Sequence, residues 1–308
     1  MLKLNETLKK LLAEIADVHD TPKGAYNIRS NSQSVGRAST ENIEVLARED
    51  GQGLTIRVKP GTKNETIHIP VIMSQSGLKE VVYNDFYIGE NADVFIVSGC
   101  GIHNSGDQDS EHDGIHRFYL GKGSHVLYVE KHYGEGTGKG KRILNPGTEV
   151  YMEEGSSMEM EMLQIKGVDD TTRTTTAELD KDARLVIRER LMTHGDQNAI
   201  SNYVVYLNGE NASADVVSRS VAKDNSYQKF DAKLVGNKPC SGHTECDSII
   251  MDHGRIEAVP ALVANDVDAA LVHEAAIGKI AGDQITKLMT LGLNEQEAEA
   301  QIINGFLK

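Results

Sequence analysis

The 308-residue chain contains no tryptophan, five phenylalanines, six prolines and three cysteines. The cysteines are too few and odd in number for a disulfide framework, which a chain of this length does not need to bury a core. They indicate reduced thiols that are available to a metal or to sulfur chemistry. No run of 18 consecutive apolar residues occurs, so the sequence predicts no membrane-spanning segment.

Positive charge is also scarce. The chain carries 32 lysines and arginines against 46 acidic residues, a net charge of −14 at pH 7. This charge would repel a phosphate backbone and no basic run offsets it, which argues against nucleic-acid binding. The N-terminus, MLKLNETLKKLLAEIADVHD, alternates charge with leucine where a signal peptide has an unbroken apolar core. We therefore expect a cytoplasmic protein.

The start of the chain has helical periodicity, and the pattern changes at about residue 25. Residues 3–17 are predicted to form an amphipathic helix within an N-terminal helical segment at 1–24. From 25 to 272, short runs of Val, Ile, Tyr and Thr are interrupted by Gly, Asn, Asp or Ser, which predicts strands. The apolar residues of the helix are Leu4, Leu8, Leu11, Leu12 and Ile15.

An imperfect repeat recurs in the strand region: a polar turn, then Ala, Ser or Thr, then an alternating apolar strand. Six copies recur at uneven intervals within the range of roughly 20–50 residues that is typical of stacked coils, which suggests variable loops between them. The copies are GENADVFIV, GKGSHVLYV, NPGTEVYME, DKDARLVIR, GENASADVV and DHGRIEAVP. No helical pattern separates the strands, so we predict a β-solenoid, with a sandwich of short strands as the alternative.

Helical periodicity returns in residues 273–308. Asp283 is predicted to cap a first helix, and Asn294 with Glu297 forms a capping-box pattern that starts a second at 295–304. A helical hairpin of this size has little core of its own, so it should dock on the solenoid or on another protein. The apolar residues proposed for such docking are Ile285, Leu288, Met289, Ile302, Ile303 and Phe306.

The segment CSGHTECDS holds the densest functional pattern. It brings Cys240, His243 and Cys246, three potential ligands of soft metals, close together in the sequence. In an extended strand the two cysteines share one face and His243 takes the other, so one strand cannot direct all three at one metal without a bulge. An isolated Cys246 would be interpreted as a small core residue, but its neighbours favour metal chemistry.

A histidine and a glutamate follow at about the distance of one coil. His273 and Glu274 come after Cys246 by about this interval, so stacked coils would place both beside the cysteine. Thiolate, imidazole and carboxylate form a mixed ligand set suited to iron in a cluster that must later leave. The alternative is that Glu274 caps a helix and His273 is a surface histidine. The spacing leaves both open.

A second constellation, SGCGIHNSGDQDSEHDGIHRF, contains Cys100, His112 and His116. Its HDGIH portion is similar to the HExxH signature of zinc proteases. However, Gly114 and the strand pattern argue against the helix that this signature requires, and Asp113 replaces the catalytic glutamate. A metalloprotease is therefore not expected. The sequence also lacks GxSxG and GxGxxG motifs.

Three blocks, TECDSIIM, VHEAAIGKI and GLNEQEAEAQIINGF, resemble in order and spacing the C-terminal core of SufB and SufD, proteins of iron–sulfur cluster assembly. The upstream segments GENADVFIVSGC and GKGSHVLYV resemble the solenoid of that family, so the resemblance covers residues from about 80 to the end. It implies a right-handed parallel β-helix with helical segments at its ends. It also implies pairing with a second such subunit and binding through the C-terminal helices to the ABC-type ATPase SufC.

The resemblance further implies roles for individual residues. Cys246 matches the cysteine of the family's Q-C-D-S segment, which is implicated in holding the nascent cluster. Glu274 matches a SufB glutamate, and His273 stands where SufD has a functional histidine. One chain would thus carry the ligands of both subunits, which implies a homodimer with the cluster at its interface. Pairing with a SufB or SufD paralogue is the alternative.

Other residues resemble the SufB pattern less closely. Cys100 matches the cysteine of the E-G-C-x-A-P segment, a sulfur-receiving position, and His112 matches a nearby histidine. The chain departs from that segment on both sides of the cysteine, so sulfur delivery by a donor protein and binding of reduced flavin are left open. Cys240 and His243 lack counterparts in the SufB motif and are candidates for additional ligands or sulfur carriers.

These patterns together predict a scaffold subunit without catalytic turnover of its own. Iron and sulfide would assemble on it into a transient cluster for transfer to apoproteins, and a SufC-like partner would hydrolyse ATP. One alternative is a β-helix carbohydrate-active enzyme, for which the sequence lacks the aromatic platform on which sugars stack. The other is a zinc-stabilised structural solenoid.

Overall fold

The computed structural model of the protein describes residues 5–308 and begins with helix α1 (Glu6–Ala16). The predicted N-terminal helix is therefore confirmed within these residues, and Leu4 lies outside them. Asn5 caps α1 by accepting a hydrogen bond from the backbone N–H of Leu8. The helix ends at Asp17, which adopts a left-handed conformation.

Residues 25–278 form strands connected by short turns. In chain order the strands are β1 (Ala25–Ser30), β2 (Gln33–Ala38), β3 (Ile43–Ala47), β4 (Gly53–Val58), β5 (Lys63–Met73), β6 (Lys79–Ile88), β7 (Asp93–His103), β8 (Ser110–Leu120), β9 (His125–Glu135), β10 (Arg142–Leu144), β11 (Gly147–Met152), β12 (Ser157–Lys166), β13 (Asp170–Leu179), β14 (Arg184–Thr193), β15 (Asn198–Leu207), β16 (Ser213–Ala222), β17 (Tyr227–Gly236), β18 (Cys240–Ile250), β19 (Arg255–Ala264) and β20 (Ala269–Gly278).

The strands build a parallel β-solenoid of about eight coils, which confirms the predicted fold class. Successive strands alternate between two sheets, ordered β2-β1-β5-β7-β9-β12-β14-β16-β18-β20 and β19-β17-β15-β13-β10-β8-β6-β4-β3. Strand β11 follows β10 along the same coil and, like β10, pairs with β8 and β13. The hairpins β1–β2 and β3–β4 pair antiparallel and close the N-terminal end. Inward-facing aliphatic residues form one continuous core along the coils.

Helix α1 lies on the outer face of strands β5, β7 and β9. Two glycines of β7 allow this close approach. A Cβ atom at Gly99 would lie 2.9 Å from the carbonyl oxygen of Ile15, and one at Gly101 would lie 3.3 Å from the side chain of Leu11. Leu11 and Ile15 are fully buried, so α1 covers the first coils rather than projecting from them.

The C-terminal part differs from the predicted boundaries. Strand β20 continues to Gly278, so the predicted boundary after residue 272 falls inside it. The two helices that follow are α2 (Gly282–Thr290) and α3 (Glu295–Phe306). Asp283 lies in the first turn of α2 rather than at its cap, because the chain stays extended only as far as Ala281. The capping box of Asn294 and Glu297 is confirmed.

Helices α2 and α3 pack against each other. Within residues 5–308 no helix is long and apolar enough to cross a membrane.

Candidate functional site

The last two strands of one sheet, β18 and β20, carry most of the predicted ligands. Their register places Cys246 opposite Ala275, and Glu245 opposite Glu274. Because successive side chains of a strand point to opposite faces, Cys246 faces the solenoid interior whereas Glu274 faces outward. Cys246 is only 1% exposed, and its Sγ lies 3.5 Å from the hydroxyl of Ser248. The expected contact between Cys246 and Glu274 is therefore not formed within one chain.

His273, in contrast, is on the same face as Cys246. It is registered with the buried Thr244, and its Nδ1 lies 2.6 Å from Thr244 Oγ1. Burial raises the pKa of the Cys246 thiol, although a hydrogen bond with Ser248 opposes the shift. The cysteine thus rests as a neutral thiol beneath the terminal strand.

Cys240 is also buried and stands apart from Cys246. Cys240 begins β18 and Cys246 lies further along the same strand, a separation of about 20 Å at the usual rise per residue of a strand. Burial raises the pKa of the Cys240 thiol as well. The structure therefore does not bring both cysteines to one metal within a chain.

The outer face of β16, β18 and β20 gathers a histidine and three carboxylates. His243 donates from Nδ1 to Asp215 over 2.8 Å, and its Nε2 lies 3.4 Å from Glu274 Oε2. One ligand atom each from His243, Glu245 and Glu274 lies within 4.8 Å of the others, the one such group found in residues 5–308. The hydrogen bond and charge of Asp215, together with Glu274, raise the pKa of His243. Sequence reasoning singled out His243 and Glu274 but missed Asp215 and Glu245.

The second predicted constellation forms a buried pocket near the middle of the solenoid. Cys100 on β7 is registered with His132 on β9, and His112 and His132 line the same buried pocket as this cysteine. His112 Nδ1 lies 3.1 Å from Glu80, and His132 Nδ1 lies 3.2 Å from Gln164. His132 was missed by sequence reasoning, although it follows Cys100 by one coil.

The two histidines change the acidity of this cysteine. Burial raises the pKa of the Cys100 thiol, but the charges and hydrogen bonds of His112 and His132 outweigh it and lower the pKa to about 7. Burial lowers the pKa of His112, but Cys100 and Glu80 outweigh that effect and raise it to about 10. For His132, burial is outweighed mainly by Glu130, which raises the pKa to about 9. With a pKa of about 7, Cys100 is partly ionised at neutral pH, and the thiolate is the nucleophilic form of a cysteine.

We expect Cys100 to ionise with a pKa of about 7, well below the ordinary value of 9.0 for a cysteine. The measurement is the pH dependence of the ultraviolet thiolate absorbance, taken as the difference between the wild-type protein and Cys100→Ser. His112→Gln should move this ionisation to higher pH, because it removes one stabilising cation. Cys240→Ser is the matched control, since the pKa of Cys240 is raised. An ionisation of Cys100 at or above its ordinary value would contradict the assignment.

A row of buried charged groups continues from this pocket along the interior. Arg173 Nη1 lies 2.5 Å from Glu130 Oε2, and Arg173 Nε lies 3.7 Å from Glu189 Oε1. The hydroxyls of Tyr128 and Tyr203 each donate to one of these carboxylates over 2.9 Å. The row ends near the terminal coils, where Ser218 donates to Glu189 and is registered with Cys246.

Comparison with known proteins identifies the family. The model of the SufBD core domain of the SUF system for FeS cluster assembly matches residues 75–306. The chain belongs to the SufBD family. A SufBD family protein of Methanocaldococcus jannaschii named for iron–sulfur cluster assembly is 27% identical, over 99% of each chain. A relative from Archaeoglobus fulgidus with the same name is 30% identical over 84% of this chain and 69% of its own. The resemblance seen in the sequence is thereby confirmed.

This SufBD protein carries an aromatic array on its surface that sequence reasoning missed. Tyr87, Tyr119 and Tyr151 stack on the outer face with ring centroids 4.9 and 5.2 Å apart. The array was missed because each tyrosine belongs to a different coil and the three meet only when the coils stack. Arg57 covers the free face of Tyr87. Because the rings mostly cover one another, the array offers little open ring face for a sugar.

The hairpin residues of this SufBD protein that were expected to contact a partner differ in accessibility. Ile303 is only 8% exposed because it lies in the small core between α2 and α3, so it is not available to a partner while the hairpin is folded. Met289 is 45% exposed. The half-buried members of the set are Ile285, Leu288, Ile302 and Phe306.

Proposed function

We propose that this SufBD protein is a scaffold on which an iron–sulfur cluster is assembled and from which it is transferred to apoproteins. Cys246, His273 and Glu274 hold the transient cluster at an interface between two subunits. The protein acts in the cytoplasm without catalytic turnover of its own, and a SufC-like ABC ATPase supplies the ATP hydrolysis. The observation that carries the proposal is that all three residues lie on the last two strands of their sheet, next to its open edge.

The open edge supports an interface at this end. Within the described part of the chain, β20 pairs with β18 alone, so one side of its backbone has no strand partner. Val272 and Ile277 on this strand are 50% and 42% exposed. An apolar edge of this kind calls for a covering surface. A second copy of the chain fits it, and a SufB or SufD paralogue is the alternative partner.

Cluster binding requires a movement in this arrangement. In the single chain, β20 lies beside the buried Cys246. Glu274 belongs to β20 but faces outward, so its carboxylate lies on the opposite side of the sheet from the cysteine. Helix α2 begins at Gly282, shortly after β20 ends at Gly278. Closure of two ATPase subunits bound to the hairpins would therefore pull directly on the strand that covers the cysteine. This pull would expose Cys246 to the cluster.

Sulfur delivery is the other part of the proposal. The geometry around Cys100 supports a sulfur-accepting thiolate, as expected of a position that receives sulfur from a donor protein. Bound flavin is not part of the proposal.

Anaerobic reconstitution with iron and sulfide tests the scaffold function. The wild-type chain should gain the visible absorption of sulfide-to-iron charge transfer, with iron and sulfide in matching amounts per chain. Cys246→Ser and His273→Ala should lose at least about half of this cluster, because each removes a proposed ligand. Cys240→Ser tests the additional-ligand hypothesis and should not reduce the yield if that cysteine is structural. A colourless product holding only zinc would favour the zinc-stabilised solenoid instead. A cluster indifferent to Cys246→Ser would show that this cysteine is not one of its ligands.

A further inference from the structure

The outer face of the terminal coils presents four ionisable groups from three adjacent strands. Asp215, His243 and Glu274 come from β16, β18 and β20, and Glu245 follows His243 on the same side of β18. Strand alternation directs all four outward, away from Cys246. The ligand atoms of His243, Glu245 and Glu274 are already within 4.8 Å of each other, close enough to share one ion after small side-chain rotations.

Carboxylates are crowded on the outer face of β18 and β20. Glu245 and Glu274 stand directly opposite each other on neighbouring strands, an arrangement in which like charges destabilise the pairing. Asp247 adds a fourth carboxylate, after Asp215, Glu245 and Glu274, on the same face. Arg219 is registered with Asp247 and lines the same hollow as Glu245, together with Arg188 and Arg190. The two β14 arginines are paired with glutamates of β12. A bound cation would relieve the repulsion between the two glutamates.

The histidine is held in an orientation that suits a metal. Asp215 accepts the Nδ1 proton of His243, which turns Nε2 toward Glu274, and a bound metal ion would take the place of the Nε2 proton. A carboxylate behind a ligating histidine is the usual means of fixing its tautomer and ring direction. Asp215 is therefore a positioning residue rather than a ligand.

The donor set indicates the class of ion. One imidazole nitrogen with two carboxylates suits divalent iron, manganese or zinc, whereas calcium and magnesium favour oxygen ligands alone. Three protein ligands leave coordination positions open, so the ion can exchange.

We propose that His243, Glu245 and Glu274 bind one divalent first-row transition-metal ion on the outer face of the terminal coils, with Asp215 positioning the histidine. The identification of the ion as Fe²⁺, held separately from Cys246 before it joins a cluster, rests on the proposed scaffold function. The proposal that a metal ion binds at this site does not rest on the scaffold function. Because Glu274 also belongs to the proposed cluster ligands, it would pass from one role to the other as β20 moves.

Titration of the full-length protein with Mn²⁺ tests the site, with free Mn²⁺ measured by electron paramagnetic resonance. Mn²⁺ favours nitrogen and oxygen ligands, so the buried thiols contribute little to its binding. We expect one ion per chain and at least tenfold weaker binding in His243→Asn and in Glu245→Gln. Asp215→Asn should weaken binding about tenfold, as is typical when a supporting carboxylate is lost. His253→Asn and Glu257→Gln, on exposed positions of the next turn and strand, are matched controls.

Anaerobic Fe²⁺ binding by equilibrium dialysis separates this proposal from the scaffold function. Cys246→Ser should keep the Fe²⁺ site while it loses the cluster, and His243→Asn should lose the site. Thermal unfolding confirms that each variant folds, and added metal should raise the melting temperature of the wild-type protein but not of His243→Asn. Metal binding that His243→Asn leaves unchanged, or the absence of any binding to the wild-type protein, would overturn the proposal whatever reconstitution shows.

Discussion

Replacement of Arg173 by alanine is expected to lower the free energy of unfolding by about 3–5 kcal/mol. Arg173 is 4% exposed and pairs with Glu130 inside the solenoid, with Glu189 at a longer distance. Its loss leaves Glu189 without a cation and Glu130 with His132 alone, and burial makes an uncompensated charge costly. Chemical denaturation of the purified variant measures the effect.

Arg188→Ala is the matched control. Arg188 contacts Glu159 and Glu161 on the outer face and is 41% exposed, so its removal should cost less than about 1 kcal/mol. Equal losses in the two arginine variants would show that the buried Arg173–Glu130 pair stabilises the fold no more than the ion pairs of Arg188 on the surface. Combining Arg173→Met with Glu130→Gln should recover part of the loss, because it removes a buried charge along with its partner.

The Arg173–Glu130 pair also determines in which direction the free energy of unfolding changes with pH. Burial raises the pKa of Glu130, but Arg173 and His132 outweigh it and hold the pKa well below the ordinary value of 4.5. A carboxyl with a lowered pKa contributes stability that is present above its unfolded pKa and is lost as the pH falls through its folded pKa. Arg173→Ala removes the main cause of the lowering, so the difference in stability between variant and wild type should shrink in acid below about pH 4.5.

The repeat in the sequence was enough to predict the solenoid but not its period. The copies that start at Gly89 and Gly121 precede β7 and β9 in one sheet, whereas those at Asn145 and Asp252 precede strands of the other. The uneven spacing therefore arises in part from comparing strands of different sheets, and not from loop length alone. Within one sheet, the number of residues between register partners on neighbouring coils varies much less than the spacing between the repeat copies does.

The candidate site shows the same limit of sequence reasoning. A spacing of one coil places His273 on the strand beside Cys246. Coil spacing alone ignores the alternation of side chains along a strand, which turns the next residue, Glu274, to the opposite face. Asp215 and His132 belong to strands whose alternating polar residues are indistinguishable in sequence from solvent-facing ones. Their partners are fixed by the register between coils, which depends on the length of every intervening turn.

The interior charges were missed for a related reason. Glu130 and Arg173 occupy inward positions of β9 and β13. Each becomes tolerable only because a strand of the opposite sheet, distant in the sequence, supplies the opposite charge. Such a pair has no local signature, since neither strand alone compensates its own buried charge.

Deletion of residues 282–308 is expected to abolish binding to a SufC-like ATPase while leaving the unfolding of the solenoid unchanged. Helix α2 buries no residue, and α3 buries only Ala298 and Ile303, in a hairpin whose helices pack on each other. Removing it therefore exposes little of the solenoid core. Binding is measured by co-purification and by titration with the purified ATPase, and folding by denaturation of the same sample.

A substitution on the hairpin surface separates loss of contact from loss of the whole element. Met289→Asp should weaken ATPase binding at least tenfold, because it places a charge on the most accessible apolar position of the proposed docking set. Gln301→Asp, at an exposed polar position of α3, adds the same charge and should leave binding within about twofold. If the truncated chain still binds the ATPase, the hairpin is not the docking element. The pull on β20 that the scaffold proposal needs would then have to reach the strand through another surface.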